Sequence, residues 1–326
     1  MNQISPDLFK KDGRALMRTI NILTLIMLIF TLSATGCIDN GGSASGDDRI
    51  IVAVSILPQQ EFVEKIAGDN VETILMIPPG ASPATYEPSP GQLRELTKAR
   101  AFFIVGSGLP FEEVWLGKIE GINKDMLIVD CSKGINIIGT ETEENTHLKN
   151  IDENFQEDGD HAHEGSDPHI WTSPINAKMM VENTYLGLIE IDPENKDIYL
   201  NNKENYLKEL DDADAMIREK LMEGEERSFM TYHPSWGYFA AEYGLDMITI
   251  ENEGKEPSPQ DMQRVIDKAK EKNIRTIFVQ AQFSKQSAET IASAIDGKVV
   301  VVDPLAKDYV GNLEIITEAF SEGMTT

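Results

Sequence analysis

The chain has 326 residues, 41% of them apolar and 26% charged, with a formal net charge of −26. Its length allows two lobes of ordinary domain size. The acidic balance excludes a nucleic-acid partner, because phosphate binding needs clustered Lys and Arg that this sequence lacks.

Lys10, Lys11, Arg14 and Arg18 precede an apolar run from Ile20 to Leu32, which is too short for a comfortable membrane span. The small residues Ser33 to Gly36 follow, and then Cys37. This order predicts a lipoprotein signal peptide over residues 1–36, with lipid on the Cys37 sulfur; an uncleaved anchor helix is the other reading. Either one exports the body and holds it at the outer face of the cell membrane. Residues 37–48 read as a flexible tether of Gly, Ser and Asp. Cys131 then has no partner, so a buried thiol is expected and a disulfide is not.

From residue 49 onward, strand-like and helix-like stretches alternate. IIVAVSI (50–56), VETILMI (71–77), AFFIVG (101–106) and MLIVD (126–130) are short runs rich in β-formers, with helical patterns near 58–67, 89–98 and 111–119. That alternation reads as βα units on a parallel sheet, giving an N-terminal α/β lobe over 49–191. Residues 141–167 interrupt it with ten acids, one lysine and three histidines, and predict an exposed loop. A helix is expected from Pro174 to Ile191, and a longer linking helix over 192–223. The apolar positions Ile198, Tyr206, Leu210, Ala213, Ile217 and Leu221 recur mostly at three- or four-residue steps. A C-terminal α/β lobe follows over 224–326, with strands expected at 228–232, 246–250, 276–280 and 299–303. Its helices are expected at 235–243, 258–272, 285–295 and 308–322.

In open α/β sheets, ligands gather at the carboxyl ends of strands. His233 directly follows the strand SFMTY, Asp303 ends VVVVD, and His169 lies in DPHIW where the acidic loop returns to the body. Two imidazoles and a carboxylate from separate segments suit a divalent transition metal. Taken singly, each has a plainer reading as a packed histidine or a capping aspartate.

The stretches PPGASPATYEPSPGQL (78–93), DPHIWTSP (167–174), TYHPSWGYFAAEYGL (231–245), EPSPQDM (256–262), FVQAQFSKQSAETIA (278–292) and VVVVDPLA (299–306) carry a resemblance. The chain resembles the zinc- and manganese-binding lipoproteins that serve ABC-type metal importers. The resemblance implies two α/β lobes with parallel sheets, joined by a long backbone helix, with the metal held in the cleft between them. It also implies an ABC permease and its ATPase as partners. Carried over by position, His169, His233 and Asp303 match the second, third and fourth ligands of that family. The first departs, because Ala84 stands in Pro83-Ala84-Thr85-Tyr86-Glu87-Pro88 where the family usually has histidine.

A methyl group coordinates nothing, so one ligand position is open to water, Glu87, Tyr86 or a loop histidine such as His161 or His163. His147, His161 and His163 also suit metal capture within the acidic loop, and imidazole density favours zinc over manganese as cargo. The expected protein is therefore a monomeric extracytoplasmic solute-binding lipoprotein, not an enzyme. Its alternatives are an adhesin-like surface protein, a metal-free relative that binds another ligand, or a zinc hydrolase. No H-E-x-x-H or G-x-S-x-G supports the last, and only position favours Glu251 or Glu253 as its base. Trp171 and Trp236 are expected in the cleft or the core. Tyr86 and Glu87 are expected to be structural, and Ser55 to donate a hydrogen bond behind the metal ligands.

Overall fold

A computed structural model describes residues 49–139, 166–222, 227–251, 255–283 and 285–324. The expectations placed on the signal segment, Cys37, His147, His161, His163 and Glu253 lie outside the described residues. Two parallel sheets carry the fold. The first contains β1 (Ile50–Val54), β2 (Val71–Leu75), β3 (Ala101–Ile104) and β4 (Leu127–Asp130), in the order β2-β1-β3-β4. The second contains β5 (Ser228–Thr231), β6 (Asp246–Thr249), β7 (Thr276–Val279) and β8 (Lys298–Val301), in the order β6-β5-β7-β8. Most strands stop one or two residues before their apolar run does. Ser55 and Asp303 thus fall in loops at the carboxyl edge, where an α/β sheet presents side chains to ligands.

Helices α1 (Leu57–Ala67), α2 (Pro90–Glu95) and α3 (Pro110–Ile122) serve the first sheet; α6 (Gly237–Tyr243), α7 (Pro259–Glu271), α8 (Gln286–Ala294) and α9 (Tyr309–Met324) serve the second. Between them run α4 (Pro174–Ile191) and α5 (Lys196–Met222). A Ser-Pro pair starts three of these helices. Ser89, Ser173 and Ser258 each accept a backbone N–H from the first turn, and the following proline takes the first helical position. The long helix begins later than the sequence pattern predicts, because Asp192 leaves the helical region at φ −145° and ψ 68° and residues Pro193–Asn195 form a 3₁₀ turn.

Helix α5 is 27 residues long, about 40 Å at 1.5 Å per residue. It packs on α1 and α4 on the side of the first sheet and on α9 on the side of the second. Tyr206, Leu210, Ala213, Ile217 and Leu221 are buried as the periodicity predicts. Ile198 is not; it is 52% exposed, and Tyr199 takes the inward place. The Tyr199 hydroxyl donates to Asp192 Oδ2 at 2.5 Å, which satisfies the polar end of a ring that burial would otherwise penalise. One apolar core runs from Val52 and Phe103 through α4 and α5 to Phe229, Phe278 and Phe320. A smaller core around Met230, Ile277 and Ile291 fills the other face of the second sheet. Each large side chain so buried contributes about 1.5–3 kcal/mol.

A polar node crosses the same boundary. Glu61 of α1 accepts the Tyr206 hydroxyl at 2.8 Å and the Tyr309 N–H at 2.7 Å. The Tyr309 hydroxyl donates to the Trp171 carbonyl, and the Trp171 indole N–H donates to the Pro304 carbonyl, both at 2.7 Å. Residues from both halves of the chain therefore share one bonded cluster. Among the described residues, no helix is long and apolar enough to cross a membrane.

Candidate metal centre

His233 lies two residues past β5, and the Thr231 hydroxyl donates to its carbonyl at 3.1 Å, turning the chain at the strand end. Its Nδ1 is 2.5 Å from Glu251 Oε1. Glu251 follows β6 and is buried. The imidazole stacks on Phe283 with centroids 4.7 Å apart.

His169 enters from the other side. The Ser107 hydroxyl, just beyond β3, donates to the Pro168 carbonyl at 2.6 Å and holds this segment against the first sheet. Asp167 Oδ1 accepts the His169 backbone N–H at 2.9 Å and lies 2.7 Å from its Nδ1. The His169 and His233 rings meet edge to face, with centroids 5.1 Å apart at 80°.

Each imidazole thus has a buried carboxylate on Nδ1. A carboxylate only accepts, so Nδ1 carries the proton and the neutral ring keeps its lone pair on Nε2. That is how a metal-ligating histidine is oriented: an outer carboxylate fixes the tautomer and the ring angle. Among the described residues, neither Nε2 has a hydrogen-bond partner.

Asp303 stands apart from this pair. Its Oδ1 accepts the Leu305 N–H at 2.9 Å, and its carbonyl accepts from Asn312 at 2.7 Å. With Ile56, Ile77, Gly80 and Leu305 it lines a cavity of about 10 Å³, no larger than one water. Among the described residues, no three His, Cys, Asp or Glu side chains are grouped closely enough to hold one ion. The structure therefore brings two of the three expected ligands together, while one oxygen of the third holds the turn at residues 303–305.

The other expected residues have definite places. Ala84 and Glu87 are exposed, and the Tyr86 hydroxyl donates to Gln92 at 2.7 Å. Ser55 donates to Glu112, not to either histidine. Cys131 is fully buried, and burial pushes its thiol up to about 12. Trp171 and Trp236 are each 1% exposed. The sequence reading missed Asp167 as a partner of His169, although the spacing in DPH carries that signal. Glu251 was weighed only as a hydrolytic base, yet it is the partner of His233.

Two parallel α/β lobes spanned by one long helix, with paired imidazoles between them, define a two-lobed solute-binding protein of the metal-importer class. The chain belongs to the ZnuA family: the family model described as zinc-uptake complex component A, periplasmic, matches residues 52–323. It is 31% identical over 292 residues to the high-affinity zinc uptake system protein ZnuA of Bacillus subtilis, covering 87% of this chain and 88% of that one. It is 28% identical to the manganese-binding lipoprotein MntA of Halalkalibacterium halodurans, covering 88% of this chain and 89% of that one. A zinc-bound deletion mutant of ZnuA superposes with a TM-score of 0.75 at 37% identity, covering 85% of this chain and 98% of that one.

Proposed function

We propose that this chain captures a divalent transition metal as cargo, zinc first and manganese second, and delivers it to an ABC permease and its ATPase. The observation that carries this is the edge-to-face pair His169 and His233, each with Nδ1 on a buried carboxylate and Nε2 without a hydrogen bond among the described residues. Imidazole nitrogens suit zinc better than they suit manganese. Relatives named for each metal support the class of cargo. Asp303 supplies the carboxylate through the oxygen that the Leu305 N–H does not hold, and Glu87, a water or a loop histidine (His161 or His163) completes the shell where Ala84 cannot. The protein binds without turnover, and Glu251, weighed as a hydrolytic base, serves instead to orient His233. A lipid on Cys37 holds it at the outer face of the cell membrane, as a monomer.

Titration of zinc and of manganese into the wild type, His169→Ala and His233→Ala tests this reading. Each substitution should weaken zinc binding by more than about 100-fold, above the 10–100-fold range of outer partners. Unchanged affinity in both variants would overturn it.

A further inference from the structure

His169 belongs to the segment anchored on the first sheet, yet the group that orients it is pressed from the second. Asp167 Oδ1 holds both the backbone N–H and Nδ1 of His169. Its other oxygen lies against Gly237, the first residue of α6: a Cβ built there would sit 2.4 Å from Oδ2 and 3.6 Å from Cγ. Side-chain carbons do not approach so closely, so any other residue at 237 displaces the carboxylate.

The backbone of Asp167 cannot follow such a displacement. Its N–H donates to the Ile138 carbonyl at 2.9 Å, and its carbonyl accepts the Tyr238 hydroxyl at 3.0 Å. Tyr238, buried beside Gly237, also accepts the Ile138 N–H at 3.0 Å, so one phenol ties both segments to α6. The next carbonyl along, that of Pro168, is held by Ser107 at 2.6 Å. The side chain is left to rotate, and rotation draws Oδ1 away from the imidazole.

The geometry points to Gly237 as the positioning residue of the metal site: its missing side chain lets Asp167 hold Nδ1 of His169, whose ring lies 5.1 Å from that of His233. The inference deepens the metal-binding reading and rests on it for its affinity arm. Its structural arm does not need metal. Gly237 matters here for the space beside it and not for its backbone angles.

The test compares the wild type, Gly237→Ala, Asp167→Ala and the double variant of the full chain. Nitrogen-15 NMR of the metal-free protein reads the tautomer of His169, and zinc titration reads affinity. The wild type should show the proton on Nδ1, and Gly237→Ala a mixture of tautomers with zinc binding weakened about 10-fold. In the Asp167→Ala background, Gly237→Ala should add less than about twofold, because the clash has no target left. Gly117→Ala, at a helical glycine with open space around it, should change neither readout.

An unaltered tautomer in folded Gly237→Ala, or losses that add, would overturn the proposal. If Gly237→Ala does not fold, pairing it with Asp167→Ser shortens the clashing side chain; recovery of the fold supports the contact and failure to recover sinks it. A wild type that binds neither zinc nor manganese removes the proposed function while leaving the tautomer result to stand or fall alone.

Discussion

The two lobes share a scaffold and use it differently. Both order their strands with the first strand of the lobe between the second and third, so each has a switch point where the connections leaving the paired first and third strands diverge. Both have an aspartate at or just past the fourth strand, and each accepts the N–H two residues on: Asp130 from Ser132 at 2.8 Å, Asp303 from Leu305 at 2.9 Å. At the switch point the likeness ends. In the first lobe Glu112 fills it, accepting from the Ser55 hydroxyl and from the backbone N–H groups of Val105 at 2.7 Å and Gly106 at 2.9 Å. In the second lobe His233 stands there with Glu251 behind it. One lobe satisfies its strand ends internally, and the other presents a ring nitrogen to the cleft. A strand order supplies a place for a ligand; the side chain at that place decides whether the place is used.

The sharpest way to break this comparison is by pH. Burial pushes the Glu112 carboxyl up from 4.5 to about 7. A carboxyl raised on folding keeps a proton that the unfolded chain has already lost, so its effect on stability is most favourable below about 4.5 and declines as pH climbs toward about 7. The decline is about 3 kcal/mol, and Glu61, also raised by burial, acts in the same direction. Urea unfolding at pH 5 and pH 8 should show wild type losing stability with rising pH and Glu112→Gln losing much less. Equal losses in the two proteins would mean that the plugged switch point carries no buried charge.

A smaller effect is expected on the other side. Glu251→Gln keeps the shape beside His233 but allows the amide to present its NH₂ to Nδ1, which frees the tautomer. Zinc affinity should fall about 10- to 100-fold with little change in melting temperature. A large loss of stability with intact affinity would make Glu251 a core residue instead of an orienting one. The smallest effect should come from Lys65→Ala, which removes the exposed bridge from α1 to Glu209 of α5. Thermal melts should register under about 1 kcal/mol, because the lobes are joined by buried contacts and not by that pair.

Much of this was legible beforehand, for physical reasons that differ by residue. Apolar runs bounded by turn residues mark the strands, and Ser-Pro pairs mark helix starts, because both are local properties. His169 and His233 stood out because each lies at the edge of an apolar element. Tyr199 was passed over for Ile198 because hydropathy ranks isoleucine higher, while packing chose the ring with a carboxylate for its hydroxyl. Glu112 was unreadable: a glutamate in the first turn of a helix is ordinary, and only the tertiary fold seats it on three donors. The contact of Gly237 with Asp167 was equally hidden, since seventy residues separate them in sequence. The bond from the Leu305 N–H to Asp303 belongs to a local turn that VVVVDPL contains but does not announce.

The core that passes beneath α4 and α5 has a consequence for how this protein can be taken apart. Severing the chain between the sheets would strip Phe229, Phe278 and Phe320 from the same apolar mass that shelters Phe103 and Val52. Neither fragment would inherit a closed interior, so each half on its own would be a sticky, poorly soluble piece. Exchange of lobes between relatives would meet the same obstacle, since a grafted half must match a seam of aromatic side chains as well as a cleft.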